Sequence, residues 1–174
     1  RNVQLRTADR ILFAMPKPQR IASLLSSATE MFYALGADEQ LVAVSHECDY
    51  PESVRHIPSV VESVIDQYTL SSDAIDRAVK QLVSAGQRLY RLNEQRLIEA
   101  RPDVILTQDL CHVCAVTPEQ VESTLTGPAA KCARLVVLSP HSVADIAANI
   151  REVGDTIGRG AAGRIAARAF ERRF

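Results

Sequence analysis

The chain has 174 residues, 47% of them hydrophobic and 24% charged, which is enough for one domain with a full core. A formal net charge of −1 leaves no basic excess, so nucleic acid is not an expected partner. No apolar run approaches the ~20 residues that span a bilayer, and because the sequence opens on Arg1 rather than Met, the lack of a secretory leader leaves the compartment open.

Residues 1–19 lack clear periodicity, carry Pro16 and Pro18, and read as an irregular arm with a short strand at 11–13. A strand is expected over 21–25. Ser27 and Glu30 then have the spacing of a capping box, opening a helix that carries Met31, Phe32 and Leu35 and stops at Gly36. The strand 41–44 runs into a loop of His46, Glu47, Cys48, Asp49, Tyr50 and Pro51. A short edge strand is expected within 57–64. Ser71 and Ser72 open a helix to about residue 85 with Ile75, Val79 and Leu82 on one face, and Gly86 ends it. Asn93 caps a short helix reaching residue 100.

The apolar run Val104 to Leu106 is the most informative strand, because it ends directly in Gln108, Asp109 and the Cys111-x-x-Cys114 pair. Thr117-Pro118 starts a helix that ends near Gly127. A fourth strand at 135–138 stops at Pro140. Ser142 caps the longest element, with Val143, Ile146, Ile150, Val153 and Ile157 in one stripe. Gly158, Gly160 and Gly163 predict a kink or break, followed by more helix. Their dinucleotide-like spacing is discounted because no strand precedes it. Arg164, Arg168, Arg172 and Arg173 read as a solvated helix end.

Strands alternating with helices predict an α/β, Rossmann-like lobe, with a mostly parallel sheet, helices on both faces and a long C-terminal helix. The implied organisation is an arm (1–19), a lobe (20–140) and a long connecting helix (141–174). Right-handed crossovers bring the strands' C-terminal ends to one edge. Three loops then meet there: Ser26-Ser27, His46 to Pro51, and Gln108 to Val116. Ligands gather at such an edge. Ser27, Thr29, Asp49, Tyr50, Gln108 and Asp109 are the candidate ligand-binding residues, although Tyr50 also fits a loop residue capping the core. The two aspartates also fit carboxylates bonding local backbone amides.

Cys48, Cys111 and Cys114, with His46 or His112, form a Cys₃His set of a type that zinc or iron accepts. The competing reading makes Cys48 a small buried hydrophobe and Cys111–Cys114 a thiol pair or disulfide. Thiol-redox chemistry is a further alternative, weakened because the next helix starts several residues after the pair. Cys132 precedes its strand and belongs to the opposite edge; His56 and His141 read as surface loop residues. No enzyme activity is expected.

Ser23-Leu24-Leu25-Ser26-Ser27-Ala28-Thr29-Glu30, His46-Glu47-Cys48-Asp49-Tyr50-Pro51 and Thr107-Gln108-Asp109-Leu110-Cys111-x-Val113-Cys114-Ala115-Val116 resemble the cobalamin/iron-siderophore class of ABC-transporter substrate-binding proteins, and within it the thiol-containing cobalamin-binding subgroup. The resemblance runs from about Arg20 to Ile157, with Ser26 standing where relatives commonly carry proline. It implies two α/β lobes joined by one long helix, with the ligand between them; here the first lobe and the helix are recognisable. The implied ligand is a corrinoid such as cobalamin, or an iron chelate. Implied partners are the membrane subunits of an importer, and the implied location is extracytoplasmic; a genuinely leaderless chain would be cytoplasmic. A lobe whose apolar helix face lacks its other half is expected to form a homodimer or domain swap through 142–174.

Overall fold

A computed structural model describes residues 19–110, 115–124 and 133–174. Four strands, β1 (Ile21–Ser23), β2 (Leu41–Val44), β5 (Val104–Thr107) and β6 (Arg134–Val137), form one sheet in the order β2-β1-β5-β6, every pair parallel. Two shorter strands, β3 (Val61–Ser63) and β4 (Tyr90–Leu92), pair antiparallel as a separate ribbon. The strand expected within 57–64 is therefore β3, on this ribbon rather than on the main sheet. A single parallel bridge between Val44 and Ser59 ties the ribbon's approach to the end of β2.

Successive strand residues point to opposite faces, and both faces are covered. On one, Ile21, Val104, Leu106 and Val136 pack with Phe32 of α1 (Ser26–Ala34) and Val153 of α5 (Val143–Thr156). On the other, Ala22, Ala43 and Ile105 pack with Leu97 of α3 (Glu94–Ala100) and Val121 of α4 (Pro118–Thr124), with Leu92 and Val61 of the ribbon beside them. Arg20 locks the lobe's entry: its guanidinium donates to the carbonyls of Ala100 and Arg101 at the end of α3.

Helix α2 (Ser72–Ser84) has the expected Ser71 cap, yet none of its residues is buried. Ile75, Val79 and Leu82 are only half-covered. None of the described helices is long and apolar enough to cross a membrane.

The break expected among the C-terminal glycines is a full reversal. Helix α5 ends at Thr156, Gly158 takes φ +72°, and α6 (Gly160–Glu171) runs back against α5. Two glycines make the close crossing. A Cβ on Gly154 would sit 2.8 Å from the Gly163 Cα, and one on Gly163 would sit 3.0 Å from the Gly154 Cα. Arg151–Glu171 (2.5 Å) and Arg164–Asp155 (3.6 Å) bridge the two helices outside that seam. Stretch 141–174 is thus a hairpin rather than a single continuous helix. Its buried Ala147, Ile150 and Ala167 pack with Met31 of α1 and Phe170 of α6. Of the apolar stripe behind the expected dimer, Ile150, Val153 and Ile157 are buried within the same chain and Val143 is exposed.

Candidate functional site

All four sheet strands run the same way, so the loops after them share one edge. There Leu24, Leu25, Ser26 and Ser27 follow β1, Ser45, His46 and Glu47 follow β2, and Gln108, Ala115 and Val116 follow β5. They line one recess together with Val61 and Tyr90 from the ribbon. Its volume is about 100 Å³. Small-molecule sites typically hold about 300–1,000 Å³, so this recess seats the edge of a ligand and leaves the rest to a facing surface.

The convergence of three loops is as expected, but the side chains that face the recess differ from those chosen. Ser27 and Gln108 line it. Ser27 does so without capping α1: the helix starts one residue earlier, Leu25 occupies the cap position, and no side chain caps it. The phase of α1 is set by Ala28, Phe32 and Leu35, which must face the core. That phase carries Thr29 inward, fully buried, with its hydroxyl 2.9 Å from Ser23 Oγ, 3.2 Å from the Leu25 carbonyl and 3.1 Å from Cys48 Sγ.

Cys48 is turned inward as well. It is buried against Val44 and Val54, and burial pushes its thiol up from the ordinary value. Its burial is that of the competing reading, a small buried hydrophobe. Among the described residues no three His, Cys, Asp or Glu side chains stand where they could share an ion. Cys111, His112 and Cys114 lie outside the described residues, as do Cys132 and the helix end expected near Gly127. Asp49 and Tyr50 are exposed on the β2 loop, Tyr50 at 67%, and Asp109 is exposed beyond Gln108. None of these three lines the recess.

One wall is a group that sequence reasoning missed in part. The rings of His46 and Tyr90 lie 5.1 Å apart, tilted by 45°. The Tyr90 hydroxyl donates to Glu47 Oε1 at 3.0 Å. Burial, with help from that carboxylate, pushes the phenol up to about 12, so it stays a donor at neutral pH. Burial pushes the His46 imidazole down against the pull of Glu47. Its Nδ1 lies 3.4 Å from Ser45 Oγ, and Nε2 has no hydrogen-bond partner among the described residues. The available signal for Tyr90 was its place two residues before Leu92, which puts both on one strand face, Leu92 buried and Tyr90 half-buried, with the exposed Arg91 on the other.

No family model matches the chain. It is 51% identical over 43 residues to the vitamin B12-binding protein of Pectobacterium carotovorum, covering 25% of this chain and 16% of that one. It is 33% identical over 91 residues to an uncharacterized ABC transporter substrate-binding lipoprotein of Bacillus subtilis, covering 45% and 29%. Among solved structures, the periplasmic heme-binding protein of Pseudomonas aeruginosa matches with a TM-score of 0.63 at 19% identity, over 90% of this chain and 44% of that one. The periplasmic vitamin B12-binding protein of Vibrio cholerae matches with 0.62 at 21%, over 89% and 48%. The chain thus spans less than a third of those curated relatives and about half of those solved chains, and the structural likeness carries the fold. Over about half of their length the chain shares the fold of these periplasmic binding proteins, and its loop motifs resemble the cobalamin/iron-siderophore class of ABC-transporter substrate-binding proteins.

Proposed function

We propose that this lobe binds one edge of a metal chelate, a corrinoid or an iron chelate, in the recess at the C-terminal edge of its sheet. It would act as half of the substrate-binding component of an importer. The observation that carries the reading is the recess itself. Seven polar residues (Ser26, Ser27, Ser45, His46, Glu47, Tyr90, Gln108) converge there beside five apolar ones (Leu24, Leu25, Val61, Ala115, Val116). A rim this rich in donors and acceptors suits the polar fringe of a chelate, whose amide or carboxylate groups need hydrogen-bond partners when they leave water. The open, shallow form fits a ligand held between two surfaces. Relatives named for vitamin B12 and heme binding support the chelate class, and the periplasmic and lipoprotein relatives support an extracytoplasmic setting beside membrane subunits. Binding and release, without chemistry on the ligand, is the proposed activity.

The test is a titration of the 174-residue chain with cyanocobalamin and with hemin, followed by visible absorption. A saturable spectral change with either, abolished by filling the recess through Ser27→Trp, supports the reading. Equal signals from wild type and S27W, or none from wild type, refute it.

A further inference from the structure

The wall of the recess carries a charge imbalance. Its described lining holds one carboxylate, Glu47, and neither lysine nor arginine. Glu47 is held in place by the Tyr90 hydroxyl, which in turn is fixed by its ring contact with His46. A phenol that stays protonated orients the carboxylate without neutralising it. An imidazole held neutral by burial adds no compensating cation. The other polar lining groups, Ser26, Ser27, Ser45 and Gln108, are uncharged. Helix α1 opens on the same recess through Leu25, Ser26 and Ser27. Its partial positive charge is about half a unit at most, less than the full charge of a carboxylate.

Building on the chelate reading above, we propose that Glu47, positioned by Tyr90, selects the charge class of the ligand: the recess accepts neutral or cationic metal chelates and disfavours those that bring carboxylates to the edge they insert. Two carboxylates brought within a few ångströms at a half-solvated rim repel by an amount worth about tenfold in affinity at low salt, and less as salt screens them. A chelate fringed with carboxamides meets the same wall as a match. Its amide N–H groups donate to the Glu47 carboxylate and to the Gln108 side-chain carbonyl. Glu47 is thereby a specificity-determining residue, with Tyr90 its positioning partner.

Dicyanocobinamide, a neutral carboxamide-fringed corrinoid, and hemin, which carries two propionates, are the probes. Each is titrated into the 174-residue chain at low and at high salt, with hemin dimethyl ester as the carboxylate-free control. Wild type is expected to bind dicyanocobinamide at least tenfold more tightly than hemin at low salt, with the gap narrowing at high salt. Glu47→Gln keeps the shape and still accepts from Tyr90; it is expected to tighten hemin about tenfold and leave the dimethyl ester unchanged. Glu47→Asp keeps the charge and is expected to keep the discrimination, which separates charge from packing. Hemin bound as tightly as dicyanocobinamide by wild type, or a ratio unmoved by E47Q, overturns the selectivity proposal while chelate binding stands. If neither probe binds wild type, both fall.

Discussion

Gly154→Ala sets two effects of opposite sign against each other. Within a helix, replacing glycine by alanine gains about 1 kcal/mol of propensity. Position 154 lies in the last turn of α5, where backbone freedom alone predicts a more stable protein. The contact argues the other way. The added Cβ would lie 2.8 Å from the Gly163 Cα, 3.2 Å from its nitrogen and 3.3 Å from the Arg159 carbonyl oxygen. All three are backbone atoms, so no flexible side chain can swing aside. The helices must part by roughly half an ångström, and overpacking of this kind costs about 1–3 kcal/mol. The balance is a net loss of up to about 2 kcal/mol. For a chain of this size that lowers Tm by up to roughly 8 °C. Thermal and urea unfolding read by circular dichroism measure it. Gly160→Ala is the control, because its Cβ would press on the side chains of Asp155 and Arg164, which can move. A G154A protein more stable than wild type by about the propensity gain would show that α6 does not lie against α5 in solution.

Three further outcomes follow from the buried groups and the uncovered helix. His46 has its folded pKa below the ordinary 6.5 because burial disfavours the imidazolium. The unfolded chain therefore binds the proton first as the solution is acidified, and stability present above about pH 6.5 is lost below it. His46→Gln should flatten that fall in urea midpoints measured from pH 7.5 to 5, and an unaltered slope contradicts the burial argument. Cys48 has its thiol pKa raised from 9.0 by burial, so its contribution is present below that value and is lost as pH rises through the folded pKa. In a chain with Cys111, Cys114 and Cys132 changed to serine, Cys48 should react with an aromatic disulfide reagent at least a hundredfold more slowly than in urea; comparable rates would place the thiol at the surface. Because α2 has no buried residue, its amides should exchange with solvent deuterium at least tenfold faster than those of β1 and β5. Equal protection would mean that its apolar face is covered in solution.

The parallel sheet was legible because each strand is a short apolar run followed by a helix start, and Ser71, Asn93 and Ser142 accept the backbone N–H groups they were expected to cap. The edge where the loops meet followed from topology alone. Side-chain direction at that edge was not legible, for a reason visible in α1. A polar residue one turn into a helix faces ligand or core according to helical phase, and the bulk of Phe32 fixed the phase that buries Thr29. Cysteine is ambiguous in the same way, since it is among the most buried residue types as well as a ligand. The reversal after α5 was half legible. Glycines announced a break, but an apolar stripe in each half fits a bent helix as well as a hairpin. The outcome turned on Gly158 adopting a positive φ and on two glycines small enough to meet.

The order of strands in the sheet also governs when the recess can exist. Strand β1 is central, bonded to β2 twenty-odd residues later and to β5 some eighty residues later. The wall needs Tyr90, and Gln108 is delivered only when β5 docks beside β1. Closing so long a loop is slow compared with local helix formation. On the ribosome, a nascent chain carrying only the first half of the sequence already contains α1 and β2, with their Ser27, His46 and Glu47, but has no site. The recess is therefore complete only when the longest-range strand pairing, β1 with β5, has formed, and any property that depends on it appears with the assembled sheet rather than with its separate loops.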